Sequence, residues 1–121
     1  MSDSKFLAVF VGNMENPRAK AWFAMPEAER KAKEKEGIAA WGAWMAKHQS
    51  VIVGEGGPLG KTKRTAADGI TDIRNNLGGF VVVKAASHDD AAKLFLDHPH
   101  FTIFPGEAVE VMPVMPIPTG H

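Results

Sequence analysis

The sequence predicts an α+β fold of the ferredoxin-like kind, βαββαβ, with an antiparallel sheet and two helices on one of its faces. Two observations predict it. Four runs rich in β-branched and aromatic residues, at 5–12, 51–55, 80–84 and 107–114, have strand composition. Two stretches with helical start signals and apolar spacings of three and four fall between the first and second runs and between the third and fourth. The order is therefore strand, helix, strand, strand, helix, strand, with a hairpin-like excursion between the middle two strands.

The first run reads Lys-Phe-Leu-Ala-Val-Phe-Val-Gly. Phe6, Ala8 and Phe10 fall on one side, and Leu7, Val9 and Val11 on the other. A strand that is apolar on both sides is covered on both faces. Residues 13–17 form a turn, and Asn16-Pro17 can start a short helical piece through Phe23.

Pro26 opens the long helix, expected to reach about His48. Its first half is Glu-Ala-Glu-Arg-Lys-Ala-Lys-Glu-Lys-Glu, where Glu27–Lys31 and Glu29–Lys33 are stabilising pairs four apart. Interleaved charges of both signs mark a solvated face. The second half changes character, with Ile38, Trp41, Trp44, Met45 and His48 sharing a stripe. Such a stripe is more often core packing than a ligand platform. Gly37 and Gly42 weaken the helix but let it approach the sheet closely.

After the second run come Gly54, Gly56, Gly57, Pro58 and Gly60, which read as a glycine-dense loop. A phosphate-cradling loop needs a helix behind it, and none is signalled here. Residues 61–67 look like an extended arm. Its Lys61, Lys63 and Arg64 are too few for nucleic acid but could meet a carboxylate-bearing substrate. Asp68-Gly69 and Asn75-Asn76 are turn signals.

Gly78 and Gly79 open the third run. Ser87 then reads as an N-cap, with Asp90 completing a capping box and Asp89 favouring the positive helix end. Ala91, Leu94, Phe95 and His98 share one helix face, and Pro99 ends the helix. His98 is thus expected in the last turn on the apolar side. It is either a packed histidine with one hydrogen bond or a general acid–base at a pocket mouth. The last strand spans 107–114, with Pro113 at its end or on an unpaired edge.

With 121 residues, the chain is read as one domain, 1–121. Fourteen basic and fourteen acidic residues cancel and the pI is near 7.0, so no electrostatic case for nucleic acid or membrane arises. The absence of cysteine excludes disulfides, thiolate catalysis and Cys-based metal sites. The opening Met-Ser-Asp-Ser-Lys lacks the basic and apolar regions of a signal peptide, and no run is long enough to span a bilayer. A cytoplasmic location is the default expectation. Two helices cover only one face of the sheet, yet the first and third runs are apolar on both. A homodimer pairing sheet to sheet is the simplest cover.

Asp68-Gly69, Leu77-Gly78-Gly79-Phe80, the helix start at Ser87, Asp89 and Ala91, His98-Pro99-His100, and Val109-Glu110-Val111 with Pro113-Val114 together resemble the YCII-related proteins. The likeness is to the branch carrying an Asp-Gly-Pro-Phe (DGPF) signature, and it spans nearly the whole chain. It implies a dimeric α+β barrel with a small-molecule pocket between sheet and helices. Relatives in that wider superfamily include aromatic-ring dehydrochlorinases, lactone isomerases and cofactor-free oxygenases. The signature here reads Asp68-Gly69-Ile70-Thr71, and Asp72 is the carboxylate nearest to where the family often carries a Glu. A sister branch pairs a His on the first helix with an Asp before the Pro of the second. This chain has Ala39 and Ala40 near the first position and His98 at the second, so that His–Asp pair does not carry over.

The expected chemistry is proton transfer, an isomerisation or elimination on a small cyclic or aromatic acid, with no cofactor and no metal. His98 would move the proton, since an imidazole titrates near neutrality, and Asp72 would orient it. Trp41 and Trp44 would line the pocket. Arg64 or Arg74 would hold the carboxylate in a bidentate contact, with His100 also facing the substrate. Two histidines flanking a proline rarely face one ion, and no third ligand has diagnostic spacing. The alternative is a non-catalytic module that senses a metabolite or docks a partner.

Overall fold

The computed structural model describes residues 3–118; Met1 and Ser2, part of the opening segment read above for a leader, lie outside them. β1 (Ser4–Val11) is followed by α1 (Pro17–Ala24), α2 (Glu27–Lys47) and β2 (Ile52–Pro58). A hairpin of β3 (Thr62–Ala66) and β4 (Gly69–Ile73) intervenes before β5 (Leu77–Ala85). The chain then runs through α3 (His88–Lys93), α4 (Pro99–Thr102) and β6 (Ala108–Pro113). The main sheet has the order β2-β5-β1-β6, antiparallel at every pairing, while β3 and β4 form their own two-stranded sheet. This is the expected ferredoxin-like α+β arrangement, with the hairpin inserted between its second and third sheet strands.

Register follows from the alternation. Phe6 lies opposite Val83, and Ala8 opposite both Val81 and Val111. These side chains meet Trp44, Ala91 and Phe95 in one core between sheet and helices. The other set faces away from α2 and α3: Leu7 sits between Val82 and Met112, and Val9 between Phe80 and Glu110. Burial of the first set is what commits β1 to this register, because a one-residue slip would exchange the two faces.

The caps follow the sequence. The Asn16 side chain accepts the Ala19 N–H at 2.7 Å, and Ser87 Oγ accepts the Asp90 N–H at 3.1 Å. Glu27 and Lys31 close at 2.9 Å; Arg30–Glu34, rather than Glu29–Lys33, forms the next pair at 3.6 Å. Such exposed pairs contribute only a few tenths of a kcal/mol, or about 1 at most.

Two expectations change, while the hairpin-like excursion keeps its expected form. The glycine-dense segment is mostly strand, since β2 continues to Pro58 with irregular register against β5. Main-chain pairing to β5 needs no side chains there. At Gly56, φ is +63° and a Cβ would strike the Phe80 carbonyl, so glycine is required. The extended arm is β3, and Asp68-Gly69 turns it into β4. Finally, the helix expected to end at Pro99 stops at Lys93. Residues 94–96 close tight turns onto carbonyls three positions back, and Asp97 takes φ +57°. His98 is therefore the N-cap of a new helix, and Pro99 opens that helix at N1.

Candidate functional site

A cavity of about 590 Å³ lies between α2 and the β2–β5 side of the sheet. Helix α2 supplies Ile38, Trp41 and Met45, β1 supplies Phe10, and the segment around α4 supplies His100 and Phe104. Its sheet side is formed by Gly57 and Pro58 on β2 and Gly78 and Gly79 on β5, with Glu55 also in the lining. Gly79 lies opposite Phe10 and Pro58 on the cavity side of the sheet, so no β5 side chain fills the space at that position. The glycine that weakens the strand there opens the site.

The apolar wall is a set of packed rings. Trp41 lies 4.7 Å from Phe10 and 6.1 Å from Phe104, centroid to centroid. Phe104 lies over Gly37 of α2, where a Cβ would sit only 2.5 Å from the ring. That close approach explains a glycine inside a helix. Arg18, on α1, donates to the carbonyls of Phe101, Phe104 and Gly106 and so holds the turn that presents Phe104.

His100 is the imidazole of the lining. Its Nε2–H donates to the Val11 carbonyl at 2.8 Å, which fixes the tautomer because a carbonyl can only accept. The neutral ring therefore carries its lone pair on Nδ1. Burial lowers its pKa below the usual histidine value; the Val11 and Ala108 carbonyls act to raise it, and the Arg18 charge lowers it. Gly106 packs so closely on this ring that a Cβ there would overlap it.

His98 is completely buried and stands behind the wall rather than in it. Its ring is 4.5 Å from Trp41 at 87°, 4.8 Å from Trp44 and 5.0 Å from Phe10. Nδ1 accepts the backbone N–H of His100 at 3.0 Å, so the proton is on Nε2, which has no hydrogen-bond partner among the described residues. Burial pushes its pKa down to about 4, with the neighbouring His100 and His48 adding to the shift. At neutral pH it is an uncharged, sealed imidazole.

Among the residues singled out from sequence, the structure brings Trp41 and His100 to the cavity and places the others elsewhere. Trp44 is in the core and donates its Nε1–H to the Leu94 carbonyl at 2.9 Å. Asp72 lies on β4 paired with Lys63 at 2.7 Å, and Arg64 on β3 is 3.9 Å from Asp68. Arg74 is exposed just beyond β4, and none of these three lines the cavity. Phe10, Phe104 and Glu55 were not singled out. Phe10 had a signal, an aromatic on the core side of the first strand, whereas Phe104 and Glu55 had none. Among the described residues no three His, Asp or Glu side chains are grouped to hold a metal ion, and no helix is long and apolar enough to cross a membrane.

No protein-family model matches this chain, and no curated protein matches it. A solved structure does: 5-chloro-2-hydroxyhydroquinone dehydrochlorinase from Burkholderia phenoliruptrix AC1100, in complex with 2,5-dihydroxybenzoquinone. The two share 18% identity over 89% of this chain and 90% of that one, with a TM-score of 0.52. At that identity the likeness shows the fold alone, the ferredoxin-like α+β arrangement.

Proposed function

We propose that the protein binds a small, flat, ring-bearing molecule in the cavity between α2 and the β2–β5 side of the sheet, and that His100 exchanges a proton with it. One observation carries the reading: the cavity is walled by Phe10, Trp41 and Phe104 and holds one imidazole of fixed tautomer. Apolar volume with a few convergent polar groups is the usual make-up of a ligand site. A neutral imidazole with its Nδ1 lone pair uncommitted to a backbone donor suits a general base, and its conjugate acid can return the proton. The proton-transfer chemistry of an isomerase or lyase thus moves from His98 to His100, with His98 as a positioning residue. The enzyme of similar fold acts on a hydroxylated aromatic ring, which supports a ring-bearing ligand by analogy of fold.

The test is deuterium uptake by 2-indanone, a flat ketone with acidic C–H bonds, in heavy water. Wild-type protein should accelerate exchange above the buffer rate, and His100→Gln should lose the acceleration while still binding the ketone. Binding without acceleration in wild type would favour the non-catalytic module. No binding at all would overturn the site.

We further infer that the sheet face bearing Leu7, Val9, Phe80, Val82 and Met112 pairs with a second copy of the chain. Its apolar character in the register of β1, β5 and β6 supports this reading. Sedimentation should give a dimer, and Leu7→Lys with Val82→Lys should give a monomer. A wild-type monomer would end the proposal.

A further inference from the structure

We propose that the cavity selects ring-bearing molecules that carry a positive charge, such as amines, over neutral and carboxylate-bearing ones. This rests on the cavity being a ligand site. The charges around it decide the point. Among the described residues, Glu55 is the acidic group of the lining, and no Lys or Arg side chain is part of it. The basic residues that a carboxylate would need are on the hairpin, where Lys63 is paired with Asp72 and Arg64 lies near Asp68. Glu55 itself enters no ion pair among the described residues. Among the described residues the lining thus presents one negative charge with no ion-pair partner.

The rings add to this only through their faces: a cation lying over the face of Phe10, Trp41 or Phe104 is attracted to the electron-rich ring, whereas an anion there is repelled. A carboxylate at the same rim would instead face the Glu55 charge and meet no Lys or Arg of the lining among the described residues. His100 does not supply one: its Nε2–H is committed to Val11, and burial keeps the ring neutral near pH 7. Glu55 is exposed and also borders a second cleft lined by Met45, Gln49 and Ile52, so it stands at the rim. An ammonium group at the rim with its ring inserted between Trp41 and the glycine floor satisfies both features.

The experiment compares three molecules of nearly equal shape, 2-aminoindane, 2-indanol and indane-2-carboxylate, by calorimetric or NMR titration at pH 7 and low salt. The amine should bind roughly fivefold more tightly than the alcohol and more than about tenfold more tightly than the carboxylate, in keeping with a rim charge and ring faces. Glu55→Gln should close most of the amine–alcohol gap, and Glu55→Lys should reverse the order of amine and carboxylate. Equal binding of all three, or a carboxylate preference in wild type, would overturn the charge selection and leave the cavity as a ligand site. An amine preference unchanged in Glu55→Gln would also overturn it. Failure of all three to bind would overturn the ligand site itself, and this selection with it.

Discussion

The imidazole of His98 caps the backbone of His100: its Nδ1 accepts the His100 N–H at 3.0 Å. One ring is sealed in the core and the other lines the cavity, two residues apart. The buried histidine therefore sets the backbone from which the cavity histidine projects. His98→Ala removes both the cap and the ring volume and should cost about 2–4 kcal/mol in urea unfolding. His98→Asn retains a capping oxygen and should recover about 1 kcal/mol of that loss. Equal destabilisation by Ala and Asn would contradict the capping role.

Acid should weaken the fold through His98. Its folded pKa of about 4 lies below the usual 6.5, so the unfolded chain takes up the proton first as pH falls. The contribution is fully present above about pH 6.5, is lost as pH falls toward 4, and changes no further below that. Its size is on the order of 3 kcal/mol, at about 1.4 kcal/mol per pH unit. The stability difference between wild type and His98→Asn, measured from pH 7.5 to 3.5, should shrink across that window. A difference independent of pH would contradict the neutral buried imidazole.

Gly37→Ala should act on the site more than on the fold. Alanine favours the helix by about 1 kcal/mol over glycine, which offsets the cost of displacing Phe104. The displaced ring, however, belongs to the cavity wall. Thermal unfolding should therefore change little, while affinity for 2-indanol should fall several-fold. Unchanged affinity would show that the Phe104 ring does not contact the ligand.

The hairpin carboxylate should be dispensable for binding. Asp72 is exposed and pairs with Lys63 across β3 and β4. Asp72→Asn should leave 2-indanol affinity within about twofold and stability within about 0.5 kcal/mol, as for surface pairs in general. A large loss of affinity would mean that the hairpin closes over the cavity.

Much of the fold is legible because local and long-range preferences agree. β1 alternates with an apolar set on each side, Ser87 caps α3, and Pro17 opens α1 behind Asn16. The break before His98 is not legible. It depends on Asp97 adopting a left-handed conformation, which no spacing of apolar residues reveals. The extent of β2 is hidden for a different reason: its glycines are held by pairing to β5, and composition alone reads them as a loop. In the site, Trp41 and Trp44 share a stripe in sequence. The helix rotation that turns Trp41 to the cavity and Trp44 to the core is set by tertiary packing.

The most direct measurement of the ligand site uses the three tryptophans. In a ¹⁵N-labelled sample each indole N–H gives one signal, assignable with single Trp→Phe variants, during titration with 2-indanol. The cavity as described predicts that the Trp41 signal moves in a saturable way. The signals of Trp22, packed on Phe104 from α1, and of Trp44, bonded to Leu94, should move less. Saturable movement of Trp22 or Trp44 with Trp41 unmoved, or no movement of any signal, would contradict it.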